Sequence, residues 1–228
     1  MEAEERFVFI SGLICEPARA IMLWNLLDGR AYTATELAMA ANISSTSASN
    51  HLSKLLTADI VKVESQGRHR YFSFSRPEVA YVVESLANLA QHDSKNILKK
   101  DSEVKSVRYC RTCYDHLAGF VGVTVTGALE KKRLIKKSET NYIVTNNGWA
   151  WFSDLGIDKT QMQNKRRLIA RLCLDWSERK PHLAGQLGAL LLERALQNNW
   201  VKKVKFSREL LLTSKGRAAL NDLLDVDI

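Results

Sequence analysis

Cys110, Cys113 and His116 stand three residues apart, and Cys173 and His182 follow in a later segment. Thiolate sulfur and imidazole nitrogen are the donors that zinc and other soft metals take in tetrahedral sites, so these residues are a candidate metal set. A Cys-x-x-Cys pair near basic side chains is also a candidate redox thiol, because neighbouring positive charge lowers the thiol pKa. On a helix, residues three apart project within about a third of a turn of one another, which would bring Cys110, Cys113 and His116 onto one face. Packing is the third reading, since Cys is commonly a small buried hydrophobe and His can cap or orient the segment that follows it. Packing stands ahead of the other two, so no cofactor is assigned, and zinc or another soft metal stays an alternative.

A second set of polar residues lies in the first half of the chain. Ser45, Thr46, Ser47, Ser49, Asn50 and His51, with Lys54 a turn further on, make a short-chained hydrogen-bonding run. Ser and Thr can bond phosphates or base edges, and Asn50 can pair two-fold with an adenine edge. Arg68, His69 and Arg70 suit a backbone phosphate or a minor groove. Each set has a plainer reading, as a helix cap with a solvated face and as a solvated hairpin tip.

Catalytic constellations are absent from the pattern: Ser, His and Asp form no motif with a mechanism, and no Gly-rich nucleotide loop occurs. An enzyme is not expected. A metal- or thiol-dependent enzyme or redox protein built on the Cys/His set is the alternative, with a protein-interaction module after it.

The elements that must position these groups follow from apolar spacing. Ile21, Met22, Leu23, Leu26 and Leu27 recur at helical intervals from Pro17 until Asp28-Gly29. Thr33 and Thr35 offer a cap for Glu36 to Ala40, Asn42 makes a turn, and Ser44 or Ser45 caps a third helix with Ala48, Leu52, Leu55 and Leu56 on its core face. Strand-like runs at Ile60 to Glu64 and Tyr71 to Ser75 are joined by Ser65 to Arg70, where Gly67 permits a tight turn. That order is a winged helix-turn-helix. After Pro77, Val79, Val82, Val83, Leu86, Leu89 and Ala90 give one long apolar stripe, which is expected to be a homodimer helix.

Beyond a connector at 93–106 the chain repeats itself. Arg108-Tyr-Cys110 matches Arg171-Leu-Cys173, and His116-Leu-Ala-Gly119 with Gly122 matches His182-Leu-Ala-Gly185 with Gly188. Leu134-Ile-Lys-Lys137 likewise matches Trp200-Val-Lys-Lys203, before Thr145-x-x-Gly148 and Thr213-x-x-Gly216. The expectation is a mainly α chain with small β-hairpins (α+β): a DNA-binding and dimerisation domain at 1–92, then a duplicated, sensory domain at 107–228. Its copies, about 107–158 and 159–228, would each be a winged-helix-like helix-hairpin-helix unit. Duplication either copied one packing solution twice or brought two half-sites together across a pseudo-two-fold axis.

Composition agrees with a folded chain that partners a polyanion. The net charge is +8, from 33 Lys and Arg against 25 Asp and Glu, and residues 1–98 carry −2, so the second half is the basic one. Lys131, Lys132, Arg133, Lys136 and Lys137, with Lys202, Lys203, Lys205 and Arg208, either extend a DNA contact or guard strand edges. Trp149, Trp151, Trp176 and Trp200 are expected in the core, with a ligand pocket as the alternative. Glu2, Glu4 and Glu5 precede the apolar stretch from Phe7, where a secretion signal needs positive charge, and no run reaches a membrane span. A cytoplasmic protein with no membrane partner is expected.

Residues 10–92 resemble the ArsR/SmtB family of repressors. The likeness rests on Glu16-Pro-Ala-Arg19, Thr35-Glu-Leu-Ala38, Ser44 to Leu52 and Gly67-Arg-His-Arg-Tyr-Phe72. It implies a homodimeric winged-helix repressor on a palindromic double-stranded operator, with Ser45 to His51 in the groove and Arg68 to Arg70 in the wing. A small molecule, metal or redox signal would be its inducer. The family's Cys-x-Cys metal signature is missing from Ala31 to Leu37, and Glu84, His92 and Asp93 do not reproduce its other site. Residues beyond about 107 resemble the extension of a longer subgroup marked by Cys113-Tyr-Asp-His-Leu-Ala-Gly119.

Overall fold

The computed structural model describes residues 2–92, 106–162, 167–204 and 207–228, and the chain divides into two compact units, Met1–Ser94 and Lys95–Ile228. Apart from Ser106, the expected connector lies outside the described residues, as does Lys205.

In the first unit α1 (Ala3–Ile14) is followed by α2 (Pro17–Leu26). Glu16 caps α2 by accepting from the Arg19 amide at 2.9 Å, and Pro17 sits in the first turn, where its missing N–H costs nothing. β1 (Tyr32–Thr33) leads into α3 (Ala34–Ala41), which opens on a capping box between Thr33 and Glu36. Asn42 ends α3 at φ 52, a left-handed conformation that Asn tolerates better than most residues, and Ser44 caps α4 (Ser45–Thr57). Ala48, Leu52 and Leu55 bury one face of α4, while Leu56 is only half-buried.

β2 (Val61–Gln66) and β3 (His69–Phe74) form the wing, and β1 joins the other side of β3 in an antiparallel sheet of order β1-β3-β2. Gln66 pairs with His69, so the turn is Gly67 and Arg68 alone rather than the six residues expected. Polar Ser65, Gln66, His69 and Arg70 extend the ladder through backbone bonds that leave no apolar signature.

α5 (Pro77–His92) corrects the single stripe expected of it. Val79, Ala80, Val83 and Ala87 are buried, and α5 packs against α2, whereas Val82, Leu86 and Leu89 face outward. Two apolar faces share the helix, one used inside the unit and one left for something else.

The second unit repeats a hairpin, a helix, a hairpin and a helix. The first copy comprises β4 (Arg111–Cys113), β5 (His116–Ala118), α6 (Gly119–Lys131), β6 (Ile135–Lys137), β7 (Tyr142–Val144) and α7 (Asn146–Asp154). After a 3₁₀ turn at Lys159–Gln161, the second comprises β8 (Arg171–Leu174), β9 (Pro181–Ala184), α8 (Gly185–Gln197), β10 (Val201–Lys203), β11 (Leu210–Leu212) and α9 (Ser214–Leu224). The leading hairpin of each copy goes beyond the expected helix-hairpin-helix unit. Its strands are too short to show alternation.

Strand register corrects the alignment of the copies. Cys113 pairs with His116 and Arg111 with Ala118, as Cys173 pairs with His182 and Arg171 with Ala184. The counterpart of Arg171-Leu-Cys173 is therefore Arg111-Thr-Cys113, not Arg108-Tyr-Cys110. Cys110 corresponds to Ala170: the Leu210 amide donates to the Cys110 carbonyl at 2.9 Å, as the Tyr142 amide donates to that of Ala170 at 2.8 Å. Tyr114 and Asp115 turn the first hairpin, whereas residues Asp175 to Lys180 make a longer turn in the second.

The copies interlock. α6 lies on β9, α8 lies on β5, and β5 runs beside β9, so each copy's first helix covers the other's hairpin. Val121, Val125, Leu129, Phe152, Leu187 and Trp200 fill the shared core.

Candidate functional site

α4 presents Ser45, Thr46, Ser49, Asn50 and Lys54 to solvent, with Ser47 half-buried. The Ser44 hydroxyl accepts from the Ser47 amide at 3.1 Å, and the Ser49 hydroxyl donates to the Ser45 carbonyl at 2.9 Å, which leaves a narrow polar leading face. Arg68, His69 and Arg70 are exposed at the wing, where the Arg70 guanidinium lies 5.5 Å from the centre of the Phe72 ring.

His51 is placed differently. Its Nδ1 lies 3.4 Å from Glu16 Oε2 and 3.2 Å from Arg19 Nη1, turned toward the start of α2. Arg19 is buried and donates to the carbonyls of Leu13 and Gly12, so the cluster ties α1, α2 and α4 together. Backbone H-bonds and the His51 and Arg19 charges hold the Glu16 carboxyl below its ordinary range, outweighing the opposing cost of burial. Sequence reasoning missed Arg19 as the centre of this junction, because a buried arginine leaves no mark in apolar periodicity.

Cys113, His116, Cys173 and His182 come together in the second unit. One ligand atom from each lies within 4.8 Å of every other. The two sulfurs are 3.8 Å apart, far outside the S–S bond length of about 2.05 Å, and the two Nε2 atoms are 3.1 Å apart. The spacing of three between Cys113 and His116 is a hairpin pair on facing strands rather than a helical step. Cys110 stays out of the group. Burial pushes its thiol up to about 12, which makes it an inert core residue like Ala170.

Carboxylates stand behind both histidines. His116 Nδ1 lies 3.2 Å from Asp115 Oδ1, and Asp115 Oδ2 bonds Arg167 Nη2 at 2.7 Å. His182 Nδ1 lies 3.3 Å from Asp175 Oδ2, off the line of a hydrogen bond but within ion-pair reach. Asp175 Oδ2 also accepts from Arg111 Nη2 at 2.9 Å and the Gly119 amide at 2.7 Å. Burial works against the charged form of His116, yet the sulfur of Cys113 and the carboxylate of Asp115 raise its pKa to about 9. Burial opposes the Asp175 charge too, but the His182 contact and the Arg111 guanidinium hold its carboxyl well below the usual range. Neither aspartate was selected from sequence, although Cys113-Tyr-Asp115 and Cys173-Leu-Asp175 repeat a Cys-x-Asp pattern that could have marked both.

The remaining candidates are scattered. Lys131, Lys132, Arg133, Lys136, Lys137, Lys202 and Lys203 are exposed, whereas Arg208 is tied to β4 through Thr112. Trp200 is core, Trp176 lies under the Arg111 guanidinium at 4.5 Å, and Trp149 lies 5.9 Å from the Lys159 ammonium. Among the described residues, no single helix is long and apolar enough to cross a membrane.

No protein-family model matches the chain. It is 44% identical over 219 residues to the uncharacterised HTH-type transcriptional regulator YdfF of Bacillus subtilis (strain 168), spanning 96% of this chain and 97% of that protein. Among solved structures, HlyU from Vibrio cholerae N16961 is similar over 39% of this chain and 97% of its own, at 24% identity and a TM-score of 0.36. The transcriptional repressor PagR of Bacillus anthracis is similar over 37% of this chain and 95% of its own, at 21% identity and a TM-score of 0.33. The homodimeric winged helix-turn-helix domain of Mb0332 from Mycobacterium bovis, a possible ArsR-family regulator, is similar over 42% of this chain and 88% of its own, at 18% identity and a TM-score of 0.37.

Proposed function

Because the chain belongs to the helix-turn-helix transcriptional regulators, we propose that it binds a palindromic operator as a homodimer and represses transcription from it. α4 of each copy enters a major groove, and the turn between β2 and β3 contacts the flanking backbone. The observation that carries this reading is the polar leading face of α4, Ser45, Thr46, Ser49 and Asn50, exposed above a core face of Ala48, Leu52 and Leu55. Ser47 and Lys54 border that face, and Arg68, His69 and Arg70 supply the wing contact. His51 acts through Glu16 and Arg19, holding α4 against α2, rather than by reading bases.

Transcriptional regulators are not an enzyme family, and we assign the chain no reaction. The second unit receives the signal that releases the operator, since the Cys and His cluster found among the described residues lies there.

Selection of bound sequences from a random duplex pool, followed by footprinting across a salt series, tests the reading. A palindromic site protected in two half-sites about one helical turn apart, with affinity falling as salt rises, is the expected result. Equal protection of all sequences would sink it.

A further inference from the structure

We propose that Cys113, His116, Cys173 and His182 form a closed tetrahedral zinc site on the pseudo-two-fold axis of the duplicated unit, each copy supplying one hairpin pair of Cys and His. The DNA-binding reading is not needed for this, because the site lies within the second unit and its occupancy is measured without DNA.

The distances favour an ion. Zinc bonds of about 2.3 Å to sulfur and about 2.0–2.1 Å to nitrogen give a tetrahedron whose S–S and N–N edges are about 3.8 and 3.3 Å. The protein holds its sulfurs 3.8 Å and its Nε2 atoms 3.1 Å apart. Two edges of the tetrahedron are already near length, and no pair of donors is further apart than 4.8 Å.

The histidine tautomers point the same way. Asp115 and Asp175 each place a carboxylate oxygen within 3.3 Å of a histidine Nδ1, which favours the proton on that nitrogen. With that proton on Nδ1, the two Nε2 atoms are the ring nitrogens left to face an ion, and they already stand 3.1 Å apart. A carboxylate behind the imidazole is also how protein zinc sites commonly orient a histidine ligand.

Charge and burial complete the case. Both histidine side chains are fully buried and Cys113 is nearly so, so an uncompensated charge here would be costly. Two thiolates neutralise one divalent cation, so the occupied centre carries no net charge. Four protein donors leave no open position, so the ion clasps the two copies together and is not a hydrolytic centre. The first unit contributes none of the four donors.

The test is metal analysis of the full-length protein purified under reducing conditions, then removal of the ion with a chelator and titration with Co²⁺. About one zinc per chain is expected, and Co²⁺ should give the intense visible absorption of a tetrahedral ion with thiolate charge transfer in the near ultraviolet. Cys110→Ala should keep the full complement and the same spectrum, because Cys110 matches Ala170 in the other copy. Cys173→Ser and His182→Gln should lose most of the ion and the tetrahedral spectrum. A wild-type protein that carries no zinc and takes up Co²⁺ only as a pale octahedral ion overturns the proposal. Full retention by Cys173→Ser also overturns it. If the variants fail to fold, the wild-type Co²⁺ spectrum still decides.

Discussion

Arg111 of the first hairpin and Asp175 of the second form an ion pair at 2.9 Å, with both side chains essentially out of water. The same carboxylate accepts from the Gly119 amide at the start of α6 and lies behind His182. The Trp176 ring covers the guanidinium at 4.5 Å. One aspartate of the second copy therefore fixes a strand and a helix start of the first copy and a histidine of its own. Replacing Asp175 by Ala would leave a buried, unpaired arginine. We expect a loss of about 3–5 kcal/mol of unfolding free energy, read by urea denaturation. Arg111→Met with Asp175→Leu should recover only the part that the unpaired arginine costs, because the Gly119, Ser177 and Glu178 amides still lose their acceptor.

The first unit was largely legible because each of its elements leaves a local mark. Thr33 with Glu36, Asn42 and Ser44 are caps and turns whose side chains act on their own backbone, so the helix-turn-helix can be read without knowing the tertiary structure. The α5 stripe was legible as apolar but not as two faces, since Val82 and Val83 look alike until α2 is placed against one of them. In the second unit the duplication was visible, yet Arg108-Tyr-Cys110 is as good a textual match to Arg171-Leu-Cys173 as Arg111-Thr-Cys113 is. Strand register decides between them, and register between strands of three or four residues is set by their partners. For the same reason the joining of Cys113 to Cys173 was open in sequence. It depends on β5 lying beside β9, a contact between copies.

Two glycines of α6 should respond in opposite directions. A Cβ on Gly127 would meet nothing within 4 Å, so Gly127→Ala should stabilise by about 0.5–1 kcal/mol through helix propensity alone. A Cβ on Gly122 would lie 2.5 Å from the Leu117 carbonyl oxygen, in the strand that carries His116. Gly122→Ala should therefore destabilise, by about 1–3 kcal/mol as in other overpacked interiors. Thermal and urea unfolding of the two variants side by side would check the sign of each.

Contacts to DNA should separate by kind. Asn50→Ala is expected to relax base preference at one position of each half-site by roughly 1–3 kcal/mol, whereas Arg68→Ala should weaken all sequences and lower the salt slope by about 1. His51→Ala should do neither directly. Its contacts with Glu16 and Arg19 place its effect on stability, so the base preference of the bound fraction should match wild type. A variant panel measured against a set of single-base operator changes tells these outcomes apart.

The homodimer proposed above needs an apolar surface, and the first unit leaves one. Phe7, Val8 and Phe9 of α1 and Val82, Leu86 and Leu89 of α5 are exposed, more large apolar side chains than two helices of a lone unit usually show to water. Val83 is not part of that surface, so Val83→Asp would place a charge in the unit's own core and unfold it. Val82→Asp with Leu89→Asp is the informative pair. Both side chains are solvent-facing, at 51% and 70% exposure, so the unit should keep its helical circular dichroism while sedimentation shifts to a monomer. Operator affinity should fall with it, because a monomer reaches one half-site and loses the second contact that the linked pair supplies. A double variant that still sediments as a dimer would place the interface on another face.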